Sequence, residues 1–401
     1  MINNAKSLHV LIIGGGVGGL ALALFLKKAG ITCAVYEAYP YKEGAGGGLN
    51  IAPNGMNILA ALGLADDIIA RGSVTLEHCF RSEHGKVLAR IPYGNISKYG
   101  QPGVSISRGA LYEVLTKEIN KSGIEIKYNK RLLSIDQYNT GVKAHFEDGS
   151  SSSGDILIGA DGIRSKTRNI ILPEGPQPGY VGVIGVGGFV KITDIPELTA
   201  QELNRLNYTF GARGFFGYCG ADQGYAMWWS NLHSETELSA AALQEISLDK
   251  VKQEMLTIYK NFHLPVAALI NKTERPIKLN ISDIQSLPTW QKDRVLLIGD
   301  AAHAVSPNAG QGASMALEDA MYLAKLLRDN AGNYKAAFLQ FEKDRKPRVE
   351  KIVAEGRKRS ADKEALSPLK AKIRNIMMSI FLTLFGIKGL DWLYKYKIDW
   401  E

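Results

Sequence analysis

The sequence predicts an α/β fold: a Rossmann-like domain that carries an inserted, mostly antiparallel β-sheet domain and ends in a helical tail. Two apolar runs near opposite ends of the 401-residue chain, residues 8–13 and 295–298, support the Rossmann-like domain. Each run stops at a glycine-rich loop and is followed by a helical pattern, as buried parallel strands are. Between the two runs, short segments of alternating polar and apolar residues indicate a second domain of antiparallel strands.

Composition and charge are those of a soluble globular protein, with 45% hydrophobic and 22% charged residues. Much of the net charge of +8 lies in residues 342–374, but no nucleic-acid-binding motif accompanies it, so no nucleic-acid partner is predicted. Cys33, Cys79 and Cys219 form no C-x-x-C pair, and no metal site is predicted. The chain shows no export signal and no apolar run of the ~18 residues that a spanning helix needs, so we expect a cytoplasmic protein.

The first glycine-rich loop, residues 14–19 (GGGVGG), fits the pattern G-x-G-x-x-G between a strand and a helix. Gly14 permits the tight turn, Gly16 lets the backbone approach a pyrophosphate, and Gly19 lets the helix pack closely on the strand. The phosphates then meet free N–H groups at the positive end of a helix. Glu37 ends the next strand, where it can accept hydrogen bonds from a ribose. The pattern predicts a bound dinucleotide without distinguishing FAD from NAD.

The pattern of polar and apolar residues changes between the two glycine-rich loops. A helix is predicted from Arg108, antiparallel strands over 124–148, and a buried strand over 154–162 that ends at Asp161-Gly162. Short strands around a hairpin at CGADQ fill residues 179–275. We predict three parts: a dinucleotide-binding domain (1–75, 101–178 and 276–350), a sheet domain that binds the substrate (76–100 and 179–275), and a C-terminal helical segment (351–401).

The second glycine-rich loop follows the strand at 295–298. Asp300 stands at the end of that strand, where its carboxylate can accept hydrogen bonds from hydroxyl groups. Pro307 stiffens the loop, and Gly310-Gln311-Gly312 exposes backbone N–H groups where a helix starts near Ala313. His303 resembles a catalytic base in position, but in such a loop we expect it to pack or to form structural hydrogen bonds.

In this order the three motifs resemble those of the single-component FAD-dependent aromatic hydroxylases, the para-hydroxybenzoate hydroxylase-like flavoprotein monooxygenases. The similarity runs from about residue 8 to residue 348, and FEKDRKPRV (341–349) resembles a Tyr-Glu-x-x-Arg-x-x-Arg helix of that family. The segment GGGLNIAPNGMNILAALGL (46–64) resembles the salicylate hydroxylase and urate hydroxylase branch.

The resemblance implies an FAD-binding domain in which both glycine-rich junctions bind one FAD. The junction at Gly14 would contact its adenine side, and the junction at Gly310 its flavin side. It implies that Glu37 holds the adenosine ribose, that Asp161 is associated with FAD and NAD(P)H binding, and that Asp300 binds the ribityl or pyrophosphate portion. The residues expected to bind the cofactor are Gly14, Gly16, Val17, Gly19, Glu37, Gly48, Arg108, Asp161, Asp300, Gly310, Gln311, Gly312 and Ala313.

The resemblance also implies a reaction: NADH or NADPH reduces FAD as a transient co-substrate, O2 adds at the flavin C4a, and the hydroperoxide hydroxylates an aromatic or polycyclic phenolic molecule. The catalytic residues expected are Arg213, Pro307, Gly310 and Gly312. The pocket residues expected are Arg213, Phe215, Tyr218, Met227 and Trp229. No Tyr-Asp or His-Asp pair for phenol deprotonation can be selected from the sequence.

Other functions remain open at this stage. One alternative is an FAD-dependent epoxidase or hydroxylase of an isoprenoid at a membrane, suggested by the apolar tail at 373–400. The others are a flavin reductase that never oxygenates and a protein that binds a ligand without turnover. We expect the tail to pack as a helix over the pocket; membrane contact is possible but not favoured. A monomer or a homodimer is expected.

Overall fold

A computed structural model of the protein describes residues 8–41, 46–245, 247–361 and 366–401. The strands, in chain order, are β1 (His9–Ile13), β2 (Thr32–Tyr36), β3 (Gly48–Ile51), β4 (Ser73–Thr75), β5 (Glu77–Ser82), β6 (Val87–Pro92), β7 (Gly103–Ser107), β8 (Glu125–Lys127), β9 (Leu132–Tyr138), β10 (Gly141–Phe146), β11 (Ser151–Gly154), β12 (Ile156–Gly159), β13 (Gly179–Lys191), β14 (Arg205–Phe210), β15 (Phe215–Gly220), β16 (Tyr225–His233), β17 (Arg275–Asp283), β18 (Gln291–Lys292) and β19 (Val295–Leu297). The helices are α1 (Val17–Lys28), α2 (Pro53–Ala61), α3 (Ala65–Arg71), α4 (Ile96–Tyr99), α5 (Arg108–Lys121), α6 (Lys166–Ile171), α7 (Ala200–Leu203), α8 (Ala240–Gln244), α9 (Leu248–Tyr259), α10 (Val266–Asn271), α11 (Asp300–His303), α12 (Gly312–Asp329), α13 (Tyr334–Ala361) and α14 (Pro368–Tyr394), with 3-10 turns at Ile192–Asp194 and Pro307–Ala309.

The Rossmann-like part is built on a six-stranded sheet in the order β18-β19-β12-β1-β2-β8, called the parallel sheet below. All its pairs are parallel except β18 with β19. The apolar residues of β1 are buried because helices cover both faces of such a sheet. Helix α1 follows β1 as the sequence predicts and lies between Gly16 and Gly30. Smaller sheets, β11-β10-β9 and β3-β7-β4, flank it.

The second part is a seven-stranded sheet in the order β17-β13-β16-β15-β14-β5-β6, called the large sheet below. It is antiparallel apart from the parallel pair β14 and β5. The predicted fold class, an α/β protein with a mostly antiparallel insertion, is therefore confirmed. The predicted boundary at residue 275 needs a correction, because β17 pairs with β13 along its whole length, from Arg275 opposite Phe189 to Asp283 opposite Gly179. The rest of the domain division stays a prediction.

The two faces of the large sheet pack against different partners. Phe216, Tyr218 and Trp228 point outward and form a hydrophobic cluster with residues of α9 and α10 such as Met255 and Tyr259. The inner face looks toward the parallel sheet and its helices. Because successive residues of a strand point to opposite faces, each strand contributes side chains both to the outer hydrophobic cluster and to the inner face.

The C-terminal segment crosses both parts of the molecule. The backbone N–H of Leu366 donates to the carbonyl oxygen of Ala212 at 2.8 Å, and α14 then runs along β6. After α14 the chain returns to the Rossmann-like part, where the ring of Trp400 packs 5.1 Å from that of Phe25. In the described parts of the chain, no helix combines the length and the apolar character that crossing a bilayer requires.

Candidate active site

The first glycine-rich loop has the shape that its sequence predicts. Gly14 has a φ of +108°, and a Cβ on it would lie 2.4 Å from the carbonyl oxygen of Ala160. A Cβ on Gly19 would lie 2.0 Å from the carbonyl oxygen of Gly14. In contrast, no described heavy atom apart from the chain neighbours lies within 4 Å of a Cβ built on Gly16, just before α1. Protein atoms therefore pack closely against Gly14 and Gly19, whereas the space beside Gly16 is open. This leaves room for a phosphate at the N-terminus of α1.

Glu37 lies beside this loop, directly after β2. Its carboxylate accepts hydrogen bonds from the backbone N–H of Gly15 at 2.7 Å and of Tyr39 at 3.0 Å. These bonds hold the carboxylate next to the loop, where a ribose that follows the pyrophosphate would lie. Val17 begins α1 and packs partly against the main hydrophobic core.

Asp161 follows β12, whose end lies beside that of β1 because the two strands are parallel neighbours. Its carboxylate accepts hydrogen bonds from the hydroxyl of Ser165 at 2.5 Å and from the backbone N–H of Thr167 at 2.9 Å. The buried guanidinium of Arg168 donates to the carbonyl oxygen of Ala301 at 3.0 Å, which ties this loop to the one after β19. Asp161 therefore shapes the loop; its direct contact with a cofactor stays a prediction.

Asp300 begins α11 after Gly299, whose φ is +57°. Asp300 is exposed to solvent, although many protein atoms lie around its carboxyl group. This partial burial raises the pKa of the carboxyl group, while the charges of His303 and Arg108 act in the opposite direction. Arg108 is exposed at the start of α5, where its backbone N–H donates to Gly47 at 2.9 Å. An exposed carboxylate can accept hydrogen bonds from ligand hydroxyls.

The start of α12 is accessible in the same region. Gly310 has a φ of +62°, and no described heavy atom beyond its neighbours lies within 4 Å of a Cβ built on it. Gln311 is buried, Gly312 begins the helix, and Ala313 is half-buried in its first turn. Pro307 is exposed in the preceding 3-10 turn. The positive end of α12 is thus open to a ligand that carries negative charge, and contact of these residues with a flavin stays a prediction.

The tertiary structure brings the two glycine-rich junctions side by side. A Cβ on Gly18 in α1 would lie 3.3 Å from the Cβ of Ala316 in α12, and a Cβ on Gly299 would lie 3.2 Å from the same atom. Small residues at these positions let the two helices and the loop after β19 approach closely. A single extended ligand can therefore contact both junctions.

A buried ionic network supports the second junction. The ring Nε2 of His303 lies 2.6 Å from Asp319, and Arg345 contacts Asp319 at 2.8 Å and Glu318 at 2.7 Å. Arg348 lies 2.8 Å from Glu318. Burial alone would raise the pKa of Asp319, but the positive charges of His303 and Arg345 outweigh it and lower that pKa. His303 therefore has the structural hydrogen bond expected from the sequence.

We predict that Gly16→Val removes cofactor binding without unfolding the protein. The new side chain enters space that no described protein atom occupies, so the apo protein should keep its melting temperature. It would displace a phosphate from the start of α1, and the loss of about two charge-assisted hydrogen bonds should lower FAD affinity by ~100-fold or more. Fluorescence titration with FAD and thermal melting of the apo protein measure both quantities. An unchanged affinity would contradict the placement of the pyrophosphate.

The inner face of the large sheet carries a group of half-buried aromatic side chains. Phe80, Tyr208 and Trp229 are half-buried there, and the ring of Tyr208 lies 5.1 Å from Phe80 and 6.0 Å from Trp229. Met227 is on the same face, where its sulfur would lie 2.0 Å from a Cβ built on Gly48 in β3. This contact joins the inner face to β3. Aromatic and apolar side chains of this kind are typical walls of a site for a planar ring.

Three residues expected in the pocket lie in different environments: Phe215, Tyr218 and Arg213. Phe215 is on the inner face, with its ring 5.9 Å from Tyr208. Tyr218 is on the opposite face, where its hydroxyl donates to Glu202 at 3.0 Å, so its prediction as a pocket wall is corrected. The physical reason is the alternation of a strand: residues three apart point to opposite faces. Arg213 is exposed in the turn between β14 and β15, and its contact with a substrate stays a prediction.

A chain of polar side chains crosses the inner face, and the sequence did not reveal it. The ring Nδ1 of His78 lies 3.2 Å from the hydroxyl of Tyr208, and its Nε2 lies 3.3 Å from the hydroxyl of Tyr394. The ring of Tyr93 packs edge-on against His78 at 4.5 Å, and burial raises the pKa of Tyr93 well above its usual range. Because a neutral imidazole both donates and accepts, His78 can pass a proton between the two hydroxyls. The three hydrogen-bonded residues come from β5, β14 and α14, which are far apart in the sequence, so no local motif marks them.

Comparison with known proteins decides the family. A sequence family described as "FAD binding domain" matches residues 7–356. The chain belongs to this family. It is 30% identical to 6-hydroxynicotinate 3-monooxygenase of Pseudomonas fluorescens over 372 residues, which cover 87% of this chain and 90% of that protein. It is 28% identical to the FAD-dependent urate hydroxylase of Klebsiella pneumoniae, over 88% of this chain and 89% of the relative.

Solved structures of this family share the fold. The crystal structure of Klebsiella pneumoniae HpxO complexed with FAD and uric acid aligns with a TM-score of 0.84 and 25% identity over 96% of both chains. A salicylate hydroxylase substrate complex aligns with a TM-score of 0.78 and 24% identity over 98% of this chain and 96% of that chain, which shows the fold alone. The predicted family, an FAD-dependent monooxygenase of the aromatic hydroxylase type, is confirmed, and FAD is its cofactor. The open space at Gly16 and the accessible Asp300 fit that cofactor.

Proposed function

We propose that this family member hydroxylates an aromatic or polycyclic phenolic small molecule and uses NAD(P)H and O2. The observation that carries the proposal is the hydrogen-bonded chain Tyr208–His78–Tyr394 on the inner face of the large sheet. A phenol or a hydroxylated N-heteroaromatic ring becomes more nucleophilic when it loses a proton, and this chain can receive that proton. An isoprenoid alkene carries no such proton, so the chain favours a phenolic substrate over the epoxidase alternative.

Bound FAD would supply the redox chemistry, the transfer of electrons from NAD(P)H to O2. The protein's own residues would bind and orient the cofactor and the substrate. The loop at residues 14–19 and Glu37 would hold the pyrophosphate and the adenosine ribose, and Asp300 would accept hydrogen bonds from the ribityl hydroxyls. The N–H groups at the start of α12 would face the negative edge of the reduced flavin. The inner face of the large sheet would exclude water from the reacting ring.

The names of the relatives support the same substrate class. They include 6-hydroxynicotinate 3-monooxygenase, FAD-dependent urate hydroxylase and, at 27% identity, 3-amino-4-hydroxybenzoate 2-monooxygenase of Streptomyces cremeus. The substrates in these names are small oxygenated rings with ionisable groups. We therefore infer a ring with an ionisable hydroxyl, and its hydroxyl would face Tyr208.

Steady-state turnover of the FAD-loaded protein tests this function. NADH and NADPH oxidation, O2 uptake and peroxide release are measured with hydroxynicotinates, salicylate, aminohydroxybenzoates, urate and polycyclic phenols. We expect one class to stimulate NAD(P)H oxidation with equal O2 uptake, little peroxide and a hydroxylated product. Turnover that yields only peroxide with every ring, or that consumes no O2, would contradict hydroxylation and favour a flavin reductase.

A further inference from the structure

The C-terminal helix α14 presents an apolar face to solvent. Its outward positions are large apolar side chains with exposed fractions between 49% and 68%: Leu369, Ile373, Ile376, Met377, Ile380, Phe381, Leu384 and Phe385. They recur at helical spacing, so they form one continuous stripe along the helix. Monomeric proteins rarely expose an apolar patch of more than a few hundred Å², and larger patches mark interaction sites. This face therefore has the character of an interaction surface.

The helix is fixed in the orientation that exposes this face. On its inner side, the hydroxyl of Ser379 donates to the carbonyl oxygen of Leu88 at 2.6 Å, and a Cβ on Gly386 would lie 2.6 Å from Ile91 of β6. Near its N-terminus, the guanidinium of Arg374 donates to Gly211 at 3.3 Å. These contacts hold the opposite side of the helix against the large sheet, so rotation of α14 about its axis cannot hide the apolar stripe.

The charges of the helix select the kind of partner. No Asp or Glu occurs between Ser367 and Leu390, whereas Lys370 and Lys372 stand at the N-terminal end of the stripe and Lys388 follows its last residue in the sequence. Lys370 and Lys372 are exposed. An apolar stripe with basic residues at its ends and no acidic residue complements a surface that is apolar inside and negatively charged outside. That is the interface of an anionic lipid bilayer.

We propose that α14 docks in the plane of an anionic lipid bilayer, with its apolar stripe at the headgroup boundary and the side chains of Lys370 and Lys372 on the lipid phosphates. The helix lies on the surface, since none of the described helices could cross the bilayer. A second copy is a poorer partner, because a symmetric pair would place two acid-free basic surfaces together. The proposal is independent of the proposed hydroxylase function.

Vesicle flotation of the full-length, FAD-loaded protein tests the docking. We expect the protein to float with phosphatidylcholine vesicles that contain phosphatidylglycerol, less with phosphatidylcholine alone, and less at high salt. The double variant Ile380→Glu/Phe381→Glu should lose flotation. Leu339→Glu is the matched control, since Leu339 is 62% exposed but lies on α13. This variant should float like the wild type. Lys370→Gln/Lys372→Gln should lower the partition coefficient roughly 30-fold, at about 1 kcal/mol per basic residue.

Three results would overturn the proposal. The first is the absence of wild-type flotation with phosphatidylglycerol, and the second is equal flotation of the wild type and the Ile380→Glu/Phe381→Glu variant. The third is a wild-type dimer by light scattering that the same variant converts to a monomer while neither floats, which would assign the stripe to a second copy. FAD content and melting temperature show that each variant is folded. If the double variant is not, the comparison rests on Lys370→Gln/Lys372→Gln.

Discussion

Tyr208→Phe should lower the rate of substrate hydroxylation by ~10²- to 10⁴-fold near neutral pH, the range that positioned proton transfer contributes. The substitution removes the hydroxyl that would meet the substrate and that lies 3.2 Å from His78. The ring contacts with Phe80 and Trp229 stay, so we expect kcat to fall with little change in KM. Because a phenol titrates near pH 10, the rate of the variant should rise with pH as the substrate ionises in solution, and its deficit should shrink.

Product formation from about pH 7 to pH 9 measures this effect. Tyr218→Phe is the matched control, because its hydroxyl lies on the opposite face of the sheet and donates to Glu202. It should retain the wild-type rate and pH profile. A Tyr208→Phe variant as active as wild type, or one whose deficit is the same at every pH, would remove Tyr208 from the proton path.

Arg345→Met should reduce the free energy of unfolding by about 3–5 kcal/mol, because it leaves buried carboxylates without their main counter-charge. The side chains of Arg345, Asp319 and Glu318 are fully buried. The pKa values of Asp319 and Glu318 are lowered in the folded protein, so their ionisation stabilises it above the usual carboxyl pKa of about 4. That stabilisation is lost as the pH falls through the lowered values, and the deficit of the variant should narrow in acid.

Urea unfolding of wild type and variants measures this difference. The matched control is Arg71→Met, since Arg71 lies 2.7 Å from Glu113 at the surface, where a pair contributes less than about 1 kcal/mol. Equal losses in the two variants would show that the network around Arg345 adds nothing beyond a surface pair. We also expect low FAD retention in Arg345→Met, because Asp319 accepts a hydrogen bond from the backbone N–H of Gly299 beside Asp300.

Local signals predicted much of the cofactor half. Gly14, Gly16 and Glu37 are within one β-α-β unit, and that unit has a fixed geometry once its glycines are given. The sequence was less informative about the large sheet. The sequence does not show that β17 belongs to the large sheet, because its partner β13 is distant in the chain. Nor does it show which face carries Tyr218, because an apolar strand covered on both sides gives no sign of which parity points inward.

The sequence by itself determined a bound dinucleotide and the two glycine-rich junctions, because phosphate binding depends on backbone shapes that glycines encode within a few residues. Its resemblance to the aromatic hydroxylases added the family and FAD. Only the tertiary structure decided the meeting of His78, Tyr208 and Tyr394, the burial of Arg345 with Asp319, and the outward face of α14. Each of these depends on contacts between segments far apart in the chain, and alternation or charge in one segment does not specify its partner in another.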